Sequence, residues 1–73
     1  MRKVADIFDQ GIRLVIQHDG TGATPYKVSR MWFDKGWHRR QVTKCTDLIT
    51  ALNAVHWYYC KALKGEDPER DFG

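Results

Sequence analysis

The spacing of apolar positions changes once along this chain, from every second residue to every third or fourth, and that change separates a sheet from a helix. Ile12, Leu14 and Ile16 alternate with polar or smaller neighbours, the pattern of a strand with one buried face. His18 to Pro25, HDGTGATP, carries two glycines, one proline and no period, and predicts a flexible connection. Residues 26–33 and 37–44 read as second and third strands. The loop between them, Asp34-Lys35-Gly36, has the length and the glycine that favour a type I turn with a bulge. From Thr46 onward Leu48, Leu52, Val55, Tyr59 and Ala62 form a helical stripe, widened by Ala51 and Leu63. Thr46 is placed to cap this helix and Asp47 to complement its dipole, while Lys61, Lys64 and Gly65 suit its C-terminal end.

The two ends carry weaker patterns. Val4, Ile7 and Phe8 have helical spacing for one turn only, so residues 1–11 read as a short helix or an ordered arm. Residues 65–73 combine charges with a proline and no stripe, which predicts a disordered tail. The expected fold class is therefore α+β: a three-stranded antiparallel sheet packed against one C-terminal helix, with residues 12–64 as a single domain.

If Phe33 pairs with Trp37, one face of the hairpin carries Val28, Trp32 and Val42 and joins the Ile12, Leu14 and Ile16 row as core. The opposite face then presents Met31, Phe33 and Trp37 among Lys27, Arg39 and Gln41. A slip of one residue would exchange these sets, because side chains alternate across a strand.

Length and composition limit what such a fold can be. A chain of 73 residues forms one domain with a marginal core. An apolar content of 42%, with three each of Trp, Tyr and Phe, favours a folded domain over a disordered chain. The net charge is +3 and unevenly placed. Between Lys27 and Lys44 six cations face only Asp34, whereas the stretch from Lys64 to Gly73 holds Lys64 and Arg70 against Glu66, Asp67, Glu69 and Asp71. The basic character belongs to the hairpin, which points to an anionic partner as readily as to a solvated face.

Two cysteines, no apolar run of membrane length and no apolar segment after Met1-Arg2-Lys3 suggest a cytoplasmic protein with reduced thiols and no membrane partner. Cys45 precedes the helix and Cys60 lies about four turns along it, roughly 20 Å away at ~1.5 Å per residue, too far for a disulfide. His56 and Cys60 share a helix face, but His18, His38 and Cys45 complete no zinc pattern, so no metal or other cofactor is expected. Pairing Cys45 or Cys60 with a histidine names two common residue types without a site. Without a phosphate loop or paired carboxylates either, the chain reads as a non-enzyme.

The strand order, the Asp34–Gly36 turn, the polar strand WHRRQVTK and the helix TDLITALNAVHWY together resemble the arm-binding N-terminal domains of tyrosine integrases, over about Ile12 to Leu63. That resemblance implies a sheet lying in the DNA major groove, with Lys27, Ser29, Arg39, Gln41 and Trp37 toward the duplex. These 73 residues depart from that family's pattern in carrying no recombinase catalytic sequence of their own, so the resemblance leaves the biological role open. Double-stranded RNA-binding domains share the strand-and-helix order but begin with a longer helix and carry lysines where this chain has Thr46-Asp47-Leu48. The small size and Trp-rich composition also look like proteins encoded by phages and conjugative transposons.

The reading is a nucleic-acid-binding module, for duplex DNA ahead of RNA, in which Lys27, Arg39, Arg40 and Lys44 contact phosphates while Ser29, Trp37 and Gln41 lie nearer the bases. The alternative is a protein-interaction module or a weak homodimer, using Met31, Phe33 and Trp37 with Trp57 and Tyr58 on the helix flank.

Overall fold

The structure, a computed structural model, describes residues 1–66. Four strands, β1 (Arg2–Asp9), β2 (Ile12–His18), β3 (Tyr26–Phe33) and β4 (Trp37–Cys45), form one antiparallel sheet in the order β1-β2-β3-β4, followed by α1 (Leu48–Leu63). The α+β class with a C-terminal helix is as expected, but the sheet has four strands, not three. The additional strand is the N-terminal segment read above as a short helix or arm. Ala5 and Ile7 turn inward opposite Ile16 and Leu14, and a register shift between Lys3 and Ala5 breaks the alternation that would have marked the strand. A two-residue turn joins β1 to β2, with Gln10 at φ 51° and Gly11 at φ 77°. Positive φ at both positions is the hairpin turn that matches strand twist, reached here without the usual Asn or Asp.

Phe33 does pair with Trp37, although Lys35 (φ 60°) and Gly36 (φ 135°) both take positive φ, which departs from a type I turn. The more consequential irregularity lies further along β4. Val28 pairs with Thr43 and Ser29 with Gln41, so Val42 is an extra residue in a bulge. Val42 and Thr43 are both buried, and the alternation beyond them is reversed, so that Lys44 pairs with Lys27 and Cys45 turns inward. The connection from β2 to β3 is tied at its base by an Asp19 N–H to Pro25 C=O hydrogen bond of 3.0 Å.

The core lies between one sheet face and α1. Ile12, Leu14, Ile16, Val28, Val42 and Cys45 meet Ala51, Ala54, Val55 and Tyr58. The helix is therefore turned from its sequence-based orientation: Ala54 and Tyr58 are buried, while Leu52 and Leu63 are exposed. Two alanines at the contact let the helix axis come close to the sheet, and Tyr58 fills the space beside them. Its Oη donates to the Val42 carbonyl at 3.0 Å, satisfying a backbone acceptor where the bulge interrupts the ladder. Trp32, expected in the core, is 41% exposed and stacks on His38, because the tip of the β3–β4 hairpin extends beyond the helix.

Asp47, not Thr46, is the N-cap. Its carboxylate accepts the Thr50 N–H at 2.8 Å, a bond that lowers the Asp47 pKa. Lys64 ends the helix, and Gly65 at φ 78° closes a Schellman arrangement through Gly65 N–H to Ala62 C=O and Glu66 N–H to Lys61 C=O. Of the expected disordered tail, residues 67–73 lie outside the described residues. Among those described, no helix is long and apolar enough to cross a membrane.

Tyr58→Phe removes one hydroxyl and leaves a buried carbonyl unpaired, which predicts a loss of about 1–2 kcal/mol. Urea unfolding of the two proteins measures it; coincident midpoints would show that the bond contributes nothing.

Candidate nucleic-acid interface

One helix covers one face of the sheet, and the register identifies what stands on the other. In β2, Ile12, Leu14 and Ile16 point to the helix, so Arg13, Val15 and Gln17 point away. Their cross-strand partners continue three rows over the open face. Phe8, Arg13, Met31 and Arg39 form one row; Asp6, Val15, Ser29 and Gln41 the next; Lys3, Gln17, Lys27 and Lys44 the third. Phe33 and Trp37 stand beyond the first row. The face is thus graded, with aromatic rings at the hairpin-tip end and lysines at the other.

Six of the seven residues expected at a binding surface share this face: Lys27, Ser29, Trp37, Arg39, Gln41 and Lys44. Lys44 joins them only because of the bulge at Val42; without it, alternation would turn Lys44 toward the helix side. The seventh, Arg40, pairs with Arg30 on the helix-side face and cannot contact the same ligand surface. Ser29 is 3% exposed and sits beneath its neighbours, so it supports the face from below. The Arg39 guanidinium reaches past it, donating to Gln17 Oε1 at 2.9 Å.

Residues from β1 and β2 complete the surface, and alternation within β2 was the signal that could have placed Arg13 and Gln17 there. The Arg13 guanidinium makes a two-point contact with the Asp6 carboxylate, at 2.9 and 2.6 Å. The same guanidinium stacks 4.8 Å from the Trp37 ring and 5.8 Å from Phe8. Trp37 in turn meets Phe8 and Phe33 edge to face, with centroids 5.6 and 5.5 Å apart. Arg13 thereby holds Trp37 and Phe8, and Trp37 in turn meets Phe33, yet Phe8, Phe33 and Trp37 remain 58%, 67% and 46% exposed. Rings held from the side with open surface offer a platform for stacking.

The cations divide into neutralised and available groups. Lys3 and Arg13 share Asp6, and Lys27 lies 3.5 Å from Asp19 and donates to the Thr24 carbonyl at 2.6 Å. Among the described residues, no carboxylate lies within ion-pair distance of Arg39 or Lys44. The Arg13 guanidinium, with help from Lys3, lowers the Asp6 carboxyl from its ordinary 3.8 to about 2, so Asp6 is charged throughout the physiological range. Asp19 is also lowered, chiefly by the Thr21 N–H and then by Lys27.

Among the described residues no three of His, Cys, Asp and Glu converge to hold a metal ion. Both cysteines are free thiols, and burial raises the Cys45 pKa, which disfavours the thiolate that a nucleophile needs. Tyr58, once grouped with an exposed aromatic patch, is 2% exposed, and Trp57 is partly buried against the core.

Fold and face together define a small α+β domain with an open basic and aromatic sheet surface. Comparison with protein-family models, with curated proteins and with solved structures finds no match to this chain.

The Asp6 contact predicts a sign for acid sensitivity. A carboxyl whose folded-state pKa is depressed adds stability above its unfolded value, and this is lost as pH falls through the folded value, here between about 4 and 2. Asp6→Asn should be less stable at neutral pH by about 1 kcal/mol and show a flatter decline over that acid range. Thermal melts of both proteins from neutral to low pH test this; parallel declines would contradict it.

Proposed function

We propose that the open sheet face binds nucleic acid, and that it takes single strands in preference to duplex. The observation that carries this reading is the coincidence, on the sheet face opposite the helix, of three exposed rings clustered about Trp37 and Arg13 with two cations, Arg39 and Lys44, that have no carboxylate partner among the described residues. Nucleic acid supplies the matching chemistry: phosphates for the cations and π-faces for the rings. Duplex DNA presents phosphates and base edges but keeps its base faces stacked, so Phe8, Phe33 and Trp37 would find no ring to meet. Single strands satisfy both ends of the face.

In this reading Trp37 and Phe33 stack on bases. Arg39 and Lys44 contact phosphates, with Lys27 beside them, and Gln41 is placed to hydrogen-bond a base or sugar. The rows follow one another along the strands, so a bound nucleic-acid strand would run parallel to β2 and β3 from the lysine row toward the rings. The sheet-in-groove arrangement implied by the integrase resemblance uses the same face with a different ligand form, and a direct comparison separates the two.

Fluorescence anisotropy with a mixed-sequence single strand and its duplex at low salt should show tighter binding to the single strand. Trp37→Ala should weaken binding by about 1–3 kcal/mol, and Arg39→Ala should reduce the slope of log affinity against log salt by about one. Absence of binding to either form at low salt would refute the proposal, and tighter binding to duplex would replace stacking with groove recognition.

A further inference from the structure

The β3–β4 hairpin is basic and aromatic on both of its faces. Toward the tip, its helix-side face carries Arg30 paired with Arg40 and Trp32 paired with His38, a block two strands wide and two positions long. Partners across the strands stand about 5 Å apart, and successive positions on one face about 7 Å apart. Trp32 stacks on His38 with ring planes 19° apart, and His38 Nε2–H donates to the Asp34 carbonyl at 2.8 Å. Both rings are thereby held at the hairpin tip while remaining exposed.

Arg30 is poorly satisfied where it lies. Among the described residues no carboxylate comes within ion-pair distance of it, its Nη1 donates to the carbonyl of Met31, and its Nε is buried without an acceptor. A buried donor with no partner is costly, and like charges directly opposite one another in a sheet repel. A phosphate seated against the two guanidiniums relieves both costs. It offsets the repulsion and offers oxygens to the planar fork of Arg30, whose half-buried side chain turns outward to meet them. We infer that Arg30 and Arg40 form a second phosphate site with Trp32 as its stacking ring, and that its ligand is the nucleic-acid strand held by the open face, after that strand has passed over β4. This inference rests on the open-face reading above.

The route follows from the position of β4. It is the last strand of the sheet, and its residues from Trp37 to Gln41 are exposed. Arg39 and Arg40 are consecutive on that edge and alternate to opposite faces, so a strand leaving Arg39 meets the next cation directly over the edge. Trp32 lies one position further toward the tip on that side and gives a base a ring to stack on. Length decides whether the second site fills. The open face from Lys27 to Phe33 extends about 20 Å at ~3.3 Å per residue, which a strand of about four nucleotides occupies alone. A longer strand reaches both sites, and its second contact forms at the effective concentration set by the first.

Fluorescence anisotropy with single strands of about four and about twelve nucleotides tests it, beside spectra of the Trp32 indole and the Arg30 and Arg40 Nε–H groups. The longer strand should bind about tenfold or more tightly, and it alone should shift those three side chains. Arg40→Ala, at an exposed position, should remove most of that gain and leave affinity for the short strand unchanged. Arg40→Glu repeats the test with the charge reversed and should remove the gain entirely. Binding of the short strand with no gain from length, or a gain that both Arg40 variants retain, would overturn the second site while the open-face reading stands. A short glutamate-rich peptide that shifts Arg30 and Arg40 where the longer strand does not would overturn it in favour of an acidic protein partner. No binding of either strand would overturn the open-face reading and this inference with it.

Discussion

A single helix shields only one face of a four-stranded sheet, and among the described residues no other element packs on the second. The helix-side face is filled by aliphatic residues from β2 to β4 and closed by Ala51, Ala54, Val55 and Tyr58. The other face has to keep its strands in register with side chains that also meet water. It does so through the Arg13–Asp6 contact, the Arg39–Gln17 bond and the cluster of Arg13 with Phe8 and Trp37. These contacts bury Val15 and Ser29 without a covering element. The contacts that stabilise the open face are thus the same ones that arrange its rings and charges.

The bulge at Val42 links the two sides. On the helix side it turns two consecutive residues inward and receives the Tyr58 hydroxyl; on the open side it delivers Lys44 to the row of Lys3, Gln17 and Lys27. A regular β4 would have reversed the positions of Thr43 and Lys44 and moved a cation away from the proposed surface. A local irregularity in one edge strand therefore adjusts both the core and the candidate site.

Much of this was legible in the sequence. Alternation in β2 and the pairing of Phe33 with Trp37 follow from period and loop length, and the helix follows from its stripe and its terminal Gly65. What was not legible has specific physical causes. The strand at Arg2–Asp9 is hidden by its own irregularity near Val4 and by a Gln10-Gly11 turn without the usual Asn or Asp. The bulge has no local signal in RRQVTK, so the side to which Lys44 turns could not be read. The helix carries two apolar strips, and periodicity alone does not say which one meets the sheet; burial selects the strip with the alanines because they permit the closer approach. Six of the seven candidate residues nonetheless lie on one face, since five of them follow from alternation in the paired strands.

Amide chemical-shift mapping with a short mixed-sequence single-stranded DNA tests the central claim most directly. Shifts confined to Arg13, Lys27, Trp37, Arg39, Lys44 and their row neighbours, fading as salt rises, are the predicted result. Shifts centred on Ile49 to Leu63, or none at low salt, would contradict it.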